Sequence, residues 1–421
     1  MTGTDGRTED LLRELAPQVL GALVRRYGQF HLCEDATQEA LLAAATQWQA
    51  SGPPDNPRGW LSTVATRRLL DLMRSEVSRR DREDRVAAAT PQSELLGAPA
   101  DEPPPDSDDS LALLFGCCHP QLPVPSQIAL TLRAVGGLST AQIAAAFGVP
   151  EATMAQRISR AKQEIRTSGL DLTVPEDPER TQRLNSVLHV LYLIFNEGYT
   201  TTSGDQLVVP ALSQEAIRLT RWLHRLLPAD SELTGLLALM LLTDARRPAR
   251  TLPDGSMVPL AEQDRGNWDR QLIEEGTALI TAALPAGQPG PYQLQAAIAA
   301  VHDEAATMAG TDWPQVLSLY DLLMAIAPNP FTSLNRAVAV AMVHGPAAGL
   351  DIIAGLEADK RMARQHRLIA ARAHLLELAG DTGAAAASYR EAARHATSLP
   401  ERRYLALQAQ RLGALQAQRL G

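Results

Sequence analysis

The chain has 421 residues, 45% of them hydrophobic and only 4% aromatic, with a formal net charge of −9. That length exceeds one ordinary core and predicts two to four domains. The acidic balance argues against a protein that coats DNA unaided, while leaving room for a local basic patch or for binding within a larger complex.

Ala and Leu dominate and β-branched runs are scarce, so an all-α protein is expected. No apolar run reaches the ~18–20 residues of a membrane span. Asp5, Glu9, Asp10 and Glu14 exclude a basic, apolar signal segment at the start. The expected location is therefore cytoplasmic, with no membrane partner. Cys33, Cys117 and Cys118 make no disulfide framework. His31 and His119 stand near them, but the spacing fits no zinc pattern, and no metal is expected.

Residues 8–88 read as helices. Leu11, Leu12 and Leu15, then Val19, Leu20, Leu23 and Val24, recur at helical spacing. A helix opens at Glu34 and ends near Trp48. On it Asp35, Gln38 and Glu39 lie at i, i+3 and i+4, one acidic-polar face that is either solvent surface or a dock for a basic partner. The next helix, from Pro57, carries Trp60 and then Arg67, Arg68, Asp71 and Arg74, with Arg79 and Arg80 continuing its basic run. Positive charge and a flat ring suit unpaired nucleic acid. Residues 89–109, with Pro103–Pro105 among acidic neighbours, read as an extended linker.

Residues 110–170 contain the strongest local signal. Ser139 and Gln142 form a capping box, Ile143, Ala144 and Phe147 face inward, and Gly148 makes a tight turn. Val149 plugs the angle and Pro150 begins the next helix. Met154 and Ile158 supply that helix's inner face. Its outer face offers Thr153, Gln156, Arg157, Arg160 and Lys162, the residue types that contact bases and phosphates in the major groove. A helical hairpin with a solvated basic face is the alternative.

Residues 180–421 read as helices punctuated by Pro and Gly. Ala216, Thr220, Leu223 and Pro228 repeat their offsets in Val316, Tyr320, Leu323 and Pro328, and Ala385, Tyr389 and Ala392 begin the pattern again. This is the second-helix pattern of tetratricopeptide (TPR) repeats; an ordinary bundle is the plainer alternative. Two segments are candidates for interdomain contact. One holds Asn196, Glu197 and Tyr199, where Gly198 would otherwise serve as a helix C-cap. The other holds Asp244, Arg246, Arg247 and Arg250, whose arginines would otherwise satisfy helix-end carbonyls. The final residues repeat ALQAQRLG in tandem.

The order of these parts resembles the extracytoplasmic-function (ECF) sigma factors of the sigma-70 superfamily. Acidic-Gln helix, Trp-Leu-x-x-Val-Ala helix, acidic linker and helix-turn-helix follow in sequence. The first block resembles the sigma region 2 helical bundle. The second resembles sigma region 4, including its Leu130–Arg133 lead-in. The remainder resembles the TPR-like extension of one ECF group. The resemblance implies that Asp35, Gln38 and Glu39 meet the β′ clamp helices of core RNA polymerase, with the β flap as a further partner. It implies that the helix of Trp60, Arg67, Arg68, Asp71, Arg74, Arg79 and Arg80 binds and opens the −10 element. Thr153, Gln156, Arg157, Arg160 and Lys162 would read the −35 element of promoter DNA. Arg67 departs from the Asn found in many relatives, so base preference at −10 is not carried over. The TPR-like domain would bind a protein or peptide and set availability. No P-loop, His-Glu-x-x-His or nucleophile elbow is present, so neither enzyme activity nor a cofactor is expected. The competing readings are a one-component helix-turn-helix regulator and a TPR scaffold.

Overall fold

Long Ala/Leu-rich stretches without β-branched runs leave little alternative to helix. The computed structural model describes residues 3–83, 109–169, 173–176, 179–202, 204–360 and 362–420. Among the described residues every regular element is helical, apart from isolated bridges between Gly204 and Ser398 and between Thr251 and Met257. The all-α expectation holds. The proposed linker lies outside the described residues as far as residue 108. The chain divides into two compact units, Met1–Val190 and Leu191–Gly421.

The first unit begins with a three-helix bundle of α1 (Gly3–Tyr27), α2 (Phe30–Ser51) and α3 (Pro57–Glu83). Small residues on α2, Cys33, Ala36, Ala40 and Ala44, are fully buried and let its neighbours approach closely. The second part comprises α4 (Asp109–Cys117), α5 (Val124–Leu130), a π-helical turn over Thr131–Val135, α6 (Thr140–Ala146) and α7 (Glu151–Ser168). It packs back on the bundle, with α4 against α1 and α7 against α2. Cys33, Cys117 and Cys118 are buried free thiols; burial pushes Cys33 and Cys118 up to about 12, which keeps them protonated.

The boundary between units falls inside α8 (Glu179–Tyr199). The sequence placed the last domain from residue 180. However, Arg183 is 7% exposed and donates to the Phe115 carbonyl at 2.9 Å. The start of α8 therefore completes the first unit.

The second unit contains α9 (Pro210–Leu226), α10 (Ser231–Ala245), α11 (Arg270–Ala283), α12 (Pro291–Glu304) and α13 (Trp313–Ile326). It continues through α14 (Pro330–His344), α15 (Pro346–Glu357), α16 (His366–Leu378), α17 (Thr382–His395) and α18 (Leu399–Leu420). Local chemistry sets where helices start. Asp230, Asp269, Asp312, Asn329 and Asp381 each accept from a backbone N–H of the first turn. Pro210, Pro291 and Pro346 stand at the first position, where no N–H is needed. From α9 to α18 each helix packs on the next in sequence, as in a repeat array. Of the recurring positions, Ala216, Thr220, Leu223, Val316, Leu323, Ala385, Tyr389 and Ala392 are buried, whereas Tyr320 is half-buried.

Close approach in this unit depends on missing side chains. A Cβ on Gly198 would stand 2.3 Å from the Ser213 nitrogen, and one on Gly235 would stand 2.7 Å from the Gln293 nitrogen. Backbone cannot yield as a flexible side chain does, so overpacking by one methyl there costs about 1–3 kcal/mol. Gly355, in α15 with open space around it, is the opposite case. Gly355→Ala should raise stability by about 0.5–1 kcal/mol. Gly198→Ala and Gly235→Ala should lower the melting temperature of the full chain by several degrees. Differential scanning calorimetry checks the sign; equal shifts at all three positions would overturn the packing argument.

Candidate nucleic-acid interface

The helix-turn-helix forms as its local signals dictate. The Ser139 backbone N–H donates to Gln142 Oε1 at 2.8 Å, and the Gln142 N–H donates to Ser139 Oγ at 3.1 Å. Gly148 takes φ +60°, and Pro150 is the residue immediately before α7. Ile143, Ala144, Met154 and Ile158 are buried, whereas Phe147 and Val149 are half-buried at the corner. On α7, Thr153, Gln156 and Arg160 are exposed and Arg157 is half-exposed. These four side chains share one accessible surface.

Lys162 lies elsewhere. Its side chain is 14% exposed and is turned towards α2, where Nζ meets Glu34 Oε2 at 2.8 Å and Asp35 Oδ1 at 2.6 Å. Burial alone would lower its pKa, but the two carboxylates outweigh burial and hold the ammonium above its ordinary range. In this arrangement Lys162 is an internal tie rather than part of the exposed recognition surface.

Its partner Glu34 escaped the sequence reading. The Glu34 side chain is 1% exposed, and its other oxygen receives Arg133 Nε at 2.7 Å. Arg133 projects from the π-helical turn, whose widened backbone also exposes its carbonyl to Gln38 Nε2 at 3.5 Å. A signal for Glu34 exists in the sequence. It lies on the same stripe as Phe30, Thr37 and Leu41, which are all buried. A carboxylate on an apolar stripe needs cationic partners. Further ion pairs join the same two parts: Arg25 with Asp109 at 3.4 Å and Arg166 with Glu76 at 3.8 Å.

The expected docking face of α2 is thus partly covered. Asp35 and Glu39 remain exposed and Gln38 is half-buried. Asp35 holds Lys162, and Glu39 lies 3.4 Å from Arg68 of α3. On α3, Arg67, Arg68, Asp71 and Arg74 are exposed, with Arg74 bonded to Asp71 at 2.9 Å. Trp60 is half-buried, its ring edge-on to Trp48 at 5.5 Å. The side chains of Arg79 and Arg80 lie outside the described residues.

The seven residues expected at an interdomain contact are engaged within the second unit. Glu197 accepts from the Thr202 N–H and hydroxyl, and the Asn196 carbonyl accepts from the Thr200 N–H. Arg250 stacks on Tyr199 at 3.7 Å and donates to Thr200 Oγ1. Arg247 pairs with Asp244 at 3.1 Å, and Arg246 pairs with Asp303 at 2.6 Å in the interior. Gly198 is no C-cap: α8 runs through it, and its bare backbone admits the start of α9. Arg247 and Arg246 bind carboxylates rather than the last carbonyls of α10.

The chain is similar to known proteins along most of its length. Residues 11–79 match the family described as Sigma-70 region 2, and residues 112–165 match Sigma-70, region 4. Residues 183–284 match a family of unknown function, DUF6596. Uncharacterized protein R00370 of Rhizobium meliloti (strain 1021) is 40% identical over 401 residues, covering 93% of this chain and 92% of the relative. The ECF RNA polymerase sigma factor SigE of Mycolicibacterium smegmatis is 29% identical over 161 residues, 38% of this chain and 60% of the relative. The ECF RNA polymerase sigma factor SigL of Mycobacterium tuberculosis is 31% identical over 153 residues, 36% of this chain and 82% of the relative. No solved structure matches. The matched segments coincide with the α1–α3 bundle and with the α4–α7 helix-turn-helix part, in that order, and the chain belongs to the ECF group of the sigma-70 family.

Proposed function

We propose that this protein is a non-enzymatic cytoplasmic sigma factor that joins core RNA polymerase, engages −10 and −35 promoter elements and assists melting. Its C-terminal helical array, TPR-like in its nearest-neighbour packing, controls availability. The α2 face of Asp35, Gln38 and Glu39 docks on the β′ clamp helices. The α3 face of Trp60, Arg67, Arg68, Asp71 and Arg74, continued by Arg79 and Arg80, receives −10 DNA. Thr153, Gln156, Arg157 and Arg160 of α7 read −35 DNA. The observation that carries the reading is the local reversal of sign: a chain of net charge −9 presents exposed arginines on α3 and α7. Unstacking costs about 1.4 kcal/mol per step, and binding to unpaired bases and backbone offsets it.

The closed arrangement is incompatible with that work. Centres about 25 base pairs apart are separated by roughly 85 Å of B-DNA. Yet α3 and α7 both pack on α2, which puts their axes within ~20 Å of one another where they cross it. The docking face and the recognition helix are therefore held together by Glu34, Arg133 and Lys162, and must part on loading. Glu34→Gln should favour parting, because Arg133 would be left partly buried without a carboxylate and Lys162 would keep only the exposed Asp35. The variant should bind core polymerase more tightly and show a larger hydrodynamic radius. Unchanged affinity and radius in a folded variant would sink the latch.

Promoter reading is tested on α7. Arg157→Ala and Arg160→Ala should reduce transcription from −35-dependent promoters, with about 1–3 kcal/mol lost at a base pair read by a bidentate arginine. Core binding should be unaffected. A flat response across all −35 base variants would remove both residues from base readout.

Control by the second unit is tested by division of the chain. Because Arg183 belongs with the first unit, the informative cut follows Val190 rather than preceding α8. If the array restrains the sigma part, residues 1–190 should transcribe more strongly than the full chain. A folded fragment of equal activity would refute control in either direction.

A further inference from the structure

The second unit contains a cavity of about 400 Å³, walled by α10, α12, α13 and α14. Its size is at the small end of ligand pockets. Apolar side chains such as Ile298, Leu323 and Val338 form part of its wall. Two buried polar atoms of its lining residues have no partner among the described residues: Nδ1 of His302 and the indole Nε1 of Trp313. His302 is 9% exposed, and its ring meets that of Trp313 edge-on at 5.3 Å. Leaving such atoms unpaired costs about 1–3 kcal/mol each. Two unsatisfied groups side by side on one cavity mark a place where something else completes the bonding.

The charges around the cavity define what that is. Arg246, on its wall, is buried against Asp303 and the Ala299 carbonyl. Arg265, behind it, donates to the carbonyls of His302 and Ala305. Both guanidiniums lie over Trp268, at 5.4 and 4.7 Å from the ring centroid. Two cations thus face one buried carboxylate, leaving an excess of positive charge. His302 registers that field. Burial first, and then Arg246 and Arg265, push it down to about 4, so it is a neutral imidazole at physiological pH. Burial opposes a charge of either sign there, but the positive potential that Arg246 and Arg265 add favours an anion over a cation at the same place. Tyr320 and Gln295 add polar groups to the lining.

We infer that this cavity is a binding site for a small amphipathic carboxylate, its apolar body against Ile298, Leu323 and Val338 and its head among Arg246, His302 and Trp313. The Trp313 N–H donates to the carboxylate, and the guanidinium excess balances its charge. Arg246 was selected in the sequence as a surface contact; here it is a buried wall of the site. The inference stands on the second unit alone and holds whether or not the chain acts as a sigma factor.

The test is calorimetric titration of the full-length protein with 1-naphthoate, a carboxylate with an aromatic body, and with 1-naphthylmethanol, its uncharged counterpart. Saturable one-site binding of naphthoate is expected, with the alcohol roughly tenfold weaker, about 1.4 kcal/mol. Val338→Trp fills the cavity and should abolish binding. If that variant melts early, Asn335→Trp closes the rim from an exposed position and serves instead. His302→Leu should weaken naphthoate more than the alcohol. No saturable binding, equal affinity for acid and alcohol, or undiminished binding in a folded tryptophan variant would each overturn the assignment.

Discussion

A carboxylate with 1% of its side chain exposed to solvent is the constraint on which the first unit depends. Glu34 has lost nearly all its water, and a bare carboxylate in the interior is tolerable only if both oxygens find cations or donors. Arg133 takes one oxygen and Lys162 the other. These partners lie 99 and 128 residues away along the chain. They come from the turn before the helix-turn-helix and from the recognition helix itself. One side chain therefore fixes how α2, the π-helical turn and α7 pack. Such a triad is weak evidence for stability, because apolar residues of the same volume often serve as well. What it supplies is a definite arrangement whose breakage exposes three charges to solvent at once. Removing either cation would leave the Glu34 carboxylate buried with an unpaired oxygen, which is strongly destabilising.

The exposed charges obey a different rule. The Glu39–Arg68 and Asp71–Arg74 pairs have side chains about half or more exposed. Pairs in that environment contribute at most about 1 kcal/mol. They orient the arginines of α3 only weakly. The contrast is between an inner, dry network that holds α7 against α2 and an outer, wet one whose charges stay in contact with solvent. Lys162 shows the distinction: it shares a helix with Arg160, yet it turns inward while Arg160 remains in water.

What the sequence made legible was whatever depends on near neighbours. The capping box of Ser139 and Gln142 and the left-handed Gly148 are decided within four residues and stand as read, while Pro150 sits one residue before the helix it was expected to begin. The outward face of α7 followed from helical periodicity at Thr153, Gln156, Arg157 and Arg160, but not at Lys162, which turns inward. The failures were long-range. Asp244 to Arg250 read as a charged helix end, although Arg246 reaches 57 residues ahead to Asp303 and is buried there. At Gly198 a helix C-cap stood as the plainer alternative to an interdomain contact, because a glycine after an apolar helix often ends it; its real task is to admit the Ser213 backbone. Glu34 was absorbed into an acidic motif, although its position on the apolar stripe distinguished it from Asp35. Periodicity tells which face a residue occupies, but only the packed structure tells what stands opposite.

The same lesson bears on how the second unit can respond to events within it. In an array where helices pack chiefly on their sequence neighbours, a local disturbance is felt first by the adjacent helices. Some helices also reach past their neighbours: α10 packs on α9, α11 and α12 together, and α14 touches α16. Just beyond its end Arg246 reaches Asp303 of α12, while Asp244 inside it accepts from Ser213 of α9 and holds Arg247. Polar groups so placed cannot shift independently, because each movement would leave a buried charge without its partner. Arg246 and Asp244, two residues apart, thus tie the end of α10 to α12 and to α9. Other polar ties cross the stack as well, among them Arg221 of α9 with Glu275 of α11, Glu232 of α10 with the start of α12, and Arg336 of α14 with Asp321 of α13, so charge pairs as well as apolar contacts hold the array along its length.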